Sequence, residues 1–109
     1  MTLLRSVRDE FAVPDLPFIA GDFVQQWKND NINICTPVVN AIRDVCRDCG
    51  HGSFVETDGL MSNSQELYND PQESEDTIHF SRRAIYPLGK RFSASWVKGF
   101  YPNILLCAL

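Results

Sequence analysis

The stretch "LPFIAGDFV", residues 16–24, decides how this chain folds. Phe18, Ile19 and Ala20 form a short apolar run that Gly21 closes, with no alternation of polar and apolar positions. A strand that is apolar on both sides has both faces covered, as strands of parallel sheets do. Two prolines in "VPDLP", residues 13–17, end whatever precedes it.

Outward from this strand the pattern changes period. "QQWKNDNINI", residues 25–34, is polar and reads as a loop. "TPVVNAIRDVCRDCG", residues 36–50, reads as a helix, with Thr36 as its N-cap, Pro37 at the first position and Gly50 as its stop. Val38, Ile42, Val45 and Cys49 fall on one stripe, the expected core-packing face. "GSFVETDGL", residues 52–60, reads as a second short strand around Phe54 and Val55, ending in a turn at Asp58 and Gly59. Leu3, Leu4, Val7 and Phe11 give residues 1 to 11 the spacing of an amphipathic helix. A last helix is expected from about Ser81 to Lys98, with Ala84, Leu88, Phe92 and Trp96 on one face and a kink or delayed start at Pro87.

Helix, strand, helix, strand, loop, helix is the order of an α/β layered fold with parallel strands. Two strands make a thin sheet with unpaired edges. The pattern is therefore expected to be the last part of a doubly wound domain whose N-terminal half is missing. There are no internal repeats and no low-complexity tract.

The 109 residues are enough for one core, and a 44% hydrophobic and 22% charged composition is that of a globular chain. The net charge of −4 is mild, and Lys and Arg nowhere interleave with aromatics, so no nucleic-acid surface is expected. "ELYNDPQESED", residues 66–76, gathers acidic groups and reads as a solvated loop. The N-terminal stretch carries charges too early for a signal peptide, and no apolar run approaches a membrane span. No membrane partner is expected.

Of the four cysteines, Cys35, Cys46, Cys49 and Cys107, two form a Cys-x-x-Cys with His51 close behind. Zinc normally takes a second knuckle, which the sequence lacks. A redox pair belongs at a helix N-terminus, whereas Cys46 and Cys49 fall at a predicted helix end, where the dipole has the opposite sign. No metal site is expected, and a disulfide would have a connectivity that sequence does not reveal.

The chemically suggestive stretch is "EDTIHFSRRAIYPLGKRF", residues 75–92. In α/β proteins functional groups sit on loops beyond the C-terminal ends of strands, and the loop after "GSFVETDGL" leads here. Asp76 and His79 are three residues apart and can point the same way. Asp76 could then accept the Nδ1 proton of His79, leaving Nε2 as general base toward a serine. Alternatively, Asp76 or Ser81 is an N-cap and His79 fills the first helical turn.

"FVETDGL", "DTIHFS" and "LGKRFSASW" together resemble the C-terminal part of the sialate O-acetylesterase and acetylxylan-esterase-like group of the SGNH (GDSL-like) hydrolase superfamily. "VRDEFAVPDLPFIAGDF" and "VVNAIRD" are similar to the pieces that precede this block, so the resemblance spans roughly residues 4 to 97. It implies a partial three-layer α/β/α, flavodoxin-like fold over residues 1–99, with 100–109 as an apolar tail that departs from the family pattern. It also implies a serine-type carbohydrate O-acetyl esterase acting on an acetylated carbohydrate, without metal or organic cofactor. Asp76 would be the orienting acid and His79 the general base, with Phe80, Leu88, Gly89 and Arg91 as structural parts of the block.

The resemblance places the nucleophile in an N-terminal Gly-x-Ser block, with Gly and Asn oxyanion donors in further blocks; none of these is in residues 1–109. "AGDF" has Phe23 where a serine would stand, and Ser53, Ser62 and Ser64 lie in turn-rich contexts where serine is ordinary. The chain alone is therefore expected to be a very poor esterase. The alternative is a non-catalytic carbohydrate-binding or interaction module derived from the same fold, with Trp27, Tyr68 and Trp96 as sugar-stacking candidates, Trp27 the more exposed and Trp96 the more core-like.

Overall fold

A computed structural model describes residues 1–66 and 75–100, the side chain of Phe100 excepted. The element order is α1 (Thr2–Glu10), β1 (Phe18–Gly21), α2 (Gln25–Asp30), α3 (Ile32–Asp48), β2 (Gly52–Val55), α4 (Asn63–Glu66) and α5 (Arg82–Phe100). The result is a small mixed α/β structure in which a two-stranded parallel sheet packs against helices. The acidic loop, apart from its ends, and the apolar tail lie outside the described residues.

β1 and β2 pair in parallel, with Phe18 opposite Gly52 and Gly21 opposite Val55. Because side chains alternate along a strand, the sheet presents two different faces. Gly52 abuts Cys46 of α3, and Phe54 carries the Arg43 guanidinium of α3 over its ring at 4.1 Å. On the other face, Gly21 abuts the Phe92 ring of α5, and the hydroxyls of Ser53 and Ser95 share a hydrogen bond. The apolar run of β1 is explained by this double cover.

The helix boundaries depart from the sequence expectation in two places. Residues 25–34 are not a loop: α2 occupies Gln25–Asp30, and α3 begins at Ile32, so Pro37 lies inside it. Asn31 is the hinge between them. Its carbonyl accepts the Ile34 and Cys35 amides while its side chain donates to Trp27 O at 2.9 Å. Thr36 is consequently not a cap, and its hydroxyl donates back to Ile32 O at 2.6 Å. Pro37 removes the amide that would reach Asn33, but both residues are exposed, where water can take the freed carbonyl. In α5 the helix starts at Arg82, ahead of Pro87, because Ser81 caps it: the Ala84 amide donates to Ser81 Oγ at 3.1 Å.

The buried face of α3 also differs from the expected stripe. Cys35, Val39 and Cys46 are buried, whereas Val38 is 44% exposed. Val38, Ile42 and Val45 line an apolar cleft of about 680 Å³ between α1 and α3, with Leu4 and Val7 opposite. α3 is thus apolar on two adjacent stripes, and the stripe read as core faces this cleft.

α1 itself has no buried residue. Arg8 ties it down through three carbonyls: Nε and Nη2 donate to Leu16 O, Nη1 to Cys49 O at 2.7 Å, and Nη2 to Gly50 O at 2.7 Å. Two of these lie just past α3, where a guanidinium also meets the negative end of the helix dipole.

Candidate active site

Four polar side chains are buried among the described residues: Asp22, Thr57, Ser62 and Ser81. Asp22 directly follows β1, and Thr57 lies just beyond β2, so polar burial begins at the C-terminal ends of the strands. Each of these groups is bonded, as burial requires. Asp22 accepts the Phe23 amide at 2.8 Å and pairs with Lys28 at 2.5 Å. Thr57 Oγ1 donates to Phe23 O at 2.6 Å and accepts from Gln25 Nε2 at 2.8 Å. The first turn of α2 thereby locks the two strand ends together.

The next residue of α2 extends this network. Ser62 Oγ donates to Gln26 Oε1. Ser62 is also the N-cap of α4: its Oγ accepts the Gln65 amide at 3.2 Å, while its own amide donates to Gln65 Oε1 at 2.9 Å. This reciprocal pair is a capping box, encoded by the spacing Ser-x-x-Gln in "SNSQ", residues 62–65. It gives Asn63 a fixed place.

The segment carrying Asp76 and His79 runs alongside. Ser62 bridges Phe80 in an antiparallel pair, and the Ser81 amide donates to Met61 O at 2.8 Å. The Asn63 amide donates to His79 O at 3.1 Å, and the Ser64 amide to Asp76 O at 2.8 Å. Backbone bonds therefore fix both ends of the Asp-x-x-His loop against α4.

Within the loop, His79 Nδ1 lies 3.1 Å from each carboxylate oxygen of Asp76. The same carboxylate accepts the amides of Ile78 and His79 at 3.2 and 3.1 Å, and Asn63 Nδ2 at 2.9 Å. The Asn63 hydrogen bond, followed by that of the His79 amide, holds the Asp76 carboxyl down to about 2. An ionised carboxylate can only accept, so the proton on this side of the ring belongs to Nδ1, and Nε2 of the neutral ring carries the lone pair. The His79 side chain is 75% exposed and that of Asp76 22%. The imidazole is thus held on its Nδ1 side by the carboxylate, in a side chain that is largely exposed.

Of the two N-cap candidates the structure places Ser81 at the start of α5, while Asp76 lies in the loop ahead of it. One carboxylate turns the loop by accepting two of its amides and aligns the imidazole at the same time.

No serine is brought to Nε2 among the described residues. The Ser62 hydroxyl is buried on Gln26, and Ser53 is paired with Ser95 beyond β2's other face. The Ser64 amide donates to the backbone carbonyl of Asp76, and no hydrogen bond joins the Ser64 hydroxyl to the imidazole. The aromatic candidates are dispersed: Trp27 is half-buried with its ring edge-on to Phe23, Trp96 is 40% exposed on α5, and Tyr68 lies outside the described residues. Trp27 is thus less open than the sequence suggested and Trp96 more so.

Cys35, Cys46 and Cys49 are free thiols. His51 stands 3.5 Å from Asp15, and no cluster of three metal-ligating side chains occurs among the described residues. No helix among them is long and apolar enough to cross a membrane.

Asn63 and its capping box were not singled out from the sequence, although Ser-x-x-Gln is a legible signal. The partners it serves are thirteen and sixteen residues away, across the acidic loop, and local spacing does not reveal them. The chain matches no family model, no curated protein and no solved structure.

Proposed function

We propose that this chain supplies the acid–base half of a serine-type carbohydrate O-acetyl esterase, on a partial three-layer α/β/α domain of the SGNH hydrolase kind. The observation that carries the reading is the approach of His79 Nδ1 to both oxygens of an ionised Asp76, at 3.1 Å, with the ring otherwise exposed. The placement of helices on both faces of a parallel sheet, and of the pair on a loop beyond the strand ends, supports it.

A serine from outside residues 1–109 would attack the acetyl carbonyl as Nε2 of His79 takes its proton. Asp76 stabilises the imidazolium without accepting the proton, as a carboxyl held near 2 requires. His79 returns that proton to the departing sugar oxygen, leaving an acetyl-serine. Water, deprotonated at Nε2, then attacks this ester; acetate departs and the serine oxygen regains the proton.

The test is the longest polypeptide encoded by the gene that contains these residues, assayed for acetate release from p-nitrophenyl acetate and from acetylated sugars. The reading expects a Gly-x-Ser block in that product and a loss of about 10³-fold or more with His79→Ala. Absence of such a block, or turnover unchanged by His79→Ala, overturns it.

A further inference from the structure

We propose that Asn63 is a positioning residue for the Asp76–His79 pair, setting the orientation of the carboxylate and through it the tautomer of the histidine. The inference deepens the esterase reading and rests on it for its catalytic meaning. Its structural content stands on contacts of the chain alone.

Asp76 has two carboxylate oxygens and several donors. Oδ1 accepts the amides of Ile78 and His79, which belong to its own loop. Oδ2 accepts Asn63 Nδ2 at 2.9 Å. His79 Nδ1 lies equally far from both oxygens. The loop amides alone fix one oxygen and leave the carboxylate free to rotate about it. Asn63 pins the second oxygen, which turns the carboxylate plane toward the ring. The side-chain amide can do this because the Asn63 backbone is itself bonded to His79 O, so one residue holds both partners.

What fixes Asn63 is equally specific. It is the first residue of α4, directly after the Ser62–Gln65 capping box. The Ser62 hydroxyl, buried and donating to Gln26, joins that box to α2 and hence to the strand ends. Hydrogen bonds tie Ser62 to α2, the peptide bond carries that anchorage to Asn63, and Asn63 reaches Asp76 through its side chain and His79 O through its backbone amide. Supporting bonds of this kind separate a held catalytic pair from one that is merely adjacent.

The experiment is an NMR titration of the 109-residue chain, wild type against Asn63→Ala and the nearly isosteric Asn63→Asp. It follows the Asp76 carboxyl carbon and the two His79 ring nitrogens, with the melting temperature as a control for folding. In the wild type the Asp76 midpoint should lie at about 2, and at high pH the proton should sit on Nδ1. Asn63→Ala should move the midpoint up toward the ordinary aspartate value of about 3.9 and mix the His79 tautomers. Asn63→Asp, which replaces the donor with a second carboxylate, should raise the midpoint further. Should the alanine variant fail to fold, the aspartate variant decides alone.

A folded variant in which neither the Asp76 midpoint nor the ring-nitrogen signals move overturns the proposal. The readout needs no substrate, so its failure is distinct from failure of the esterase reading. If the signals move as expected while His79→Ala leaves acetate release unchanged, Asn63 still positions the pair and only the assigned reaction is wrong.

Discussion

The backbone of Gly52 lies against the carbonyl of Cys46 so closely that no side chain fits between them. A Cβ at position 52 would stand 2.1 Å from the Cys46 oxygen and 2.6 Å from Cys49 Sγ. The first residue of β2 therefore passes directly beneath the last turn of α3, and the neighbour it would strike is helix backbone, which cannot rotate away. Gly52→Ala should push α3 off the sheet and destabilise the chain by about 3 kcal/mol, the upper part of the overpacking range. Urea unfolding followed by circular dichroism measures this. A variant within about 0.5 kcal/mol of wild type would mean that α3 does not sit on β2 this closely.

Arg8 carries the second prediction. α1 has no buried side chain, and its attachment rests on one guanidinium spanning the carbonyls of Leu16, Cys49 and Gly50. A lysine carries its three donors on a single nitrogen and cannot span three acceptors as the guanidinium fork does. Arg8→Lys and Arg8→Ala should both free α1, at a cost of about 1.5–3 kcal/mol. Hydrogen exchange should speed up across Thr2–Glu10 while the α3 and β2 amides keep their protection. Uniform loss of protection in every element would contradict a tether that acts locally.

These two contacts also mark where sequence reasoning reaches its limit. The strands, their parallel pairing and the turn at Asp58 and Gly59 were legible because an apolar run of three residues between breakers has few alternatives. The start of α3 was not. Thr36-Pro37 is a strong local start signal, yet Asn31 outcompetes it by ending α2 and opening α3 at the same residue. The stripe of Val38, Ile42 and Val45 looked like core because periodicity reports that a face is apolar, not what covers it. At the site, Asp76 and His79 were legible from spacing, whereas Asn63 depends on a pairing across the acidic loop.

The thiols should react in an order set by burial. Cys35 and Cys46 are buried, and burial pushes the Cys46 thiol up, so its reactive thiolate is scarce. Cys49 is only half-buried, at the end of α3. An aromatic disulfide reagent at pH 8, with the modified peptides identified by mass, should label Cys49 well before Cys35 or Cys46. Equal rates at Cys46 and Cys49 would show that the end of α3 opens more easily than its contacts with Gly52 imply.

Asp76 makes stability depend on acid in a window that can be assigned. Its folded carboxyl is held at about 2, whereas an unfolded aspartate titrates at about 3.9. Below the unfolded value the unfolded chain binds the proton more readily, so stability falls as pH falls. The contribution of Asp76 is complete above about pH 4 and is lost as the pH drops toward 2. Asp48 and Glu56 are also held below their ordinary values by Arg47 and Arg43, so the whole chain weakens in acid and a reference is needed. Asp76→Asn provides one, since an amide does not titrate in this range. The advantage of wild type over Asp76→Asn, taken from urea midpoints between pH 6 and 2, should be constant down to about pH 4 and shrink below it. A difference that stays flat to pH 2 would mean that the carboxylate is not held by Asn63 and the loop amides in solution, and with it the orientation of His79 would lose its physical basis.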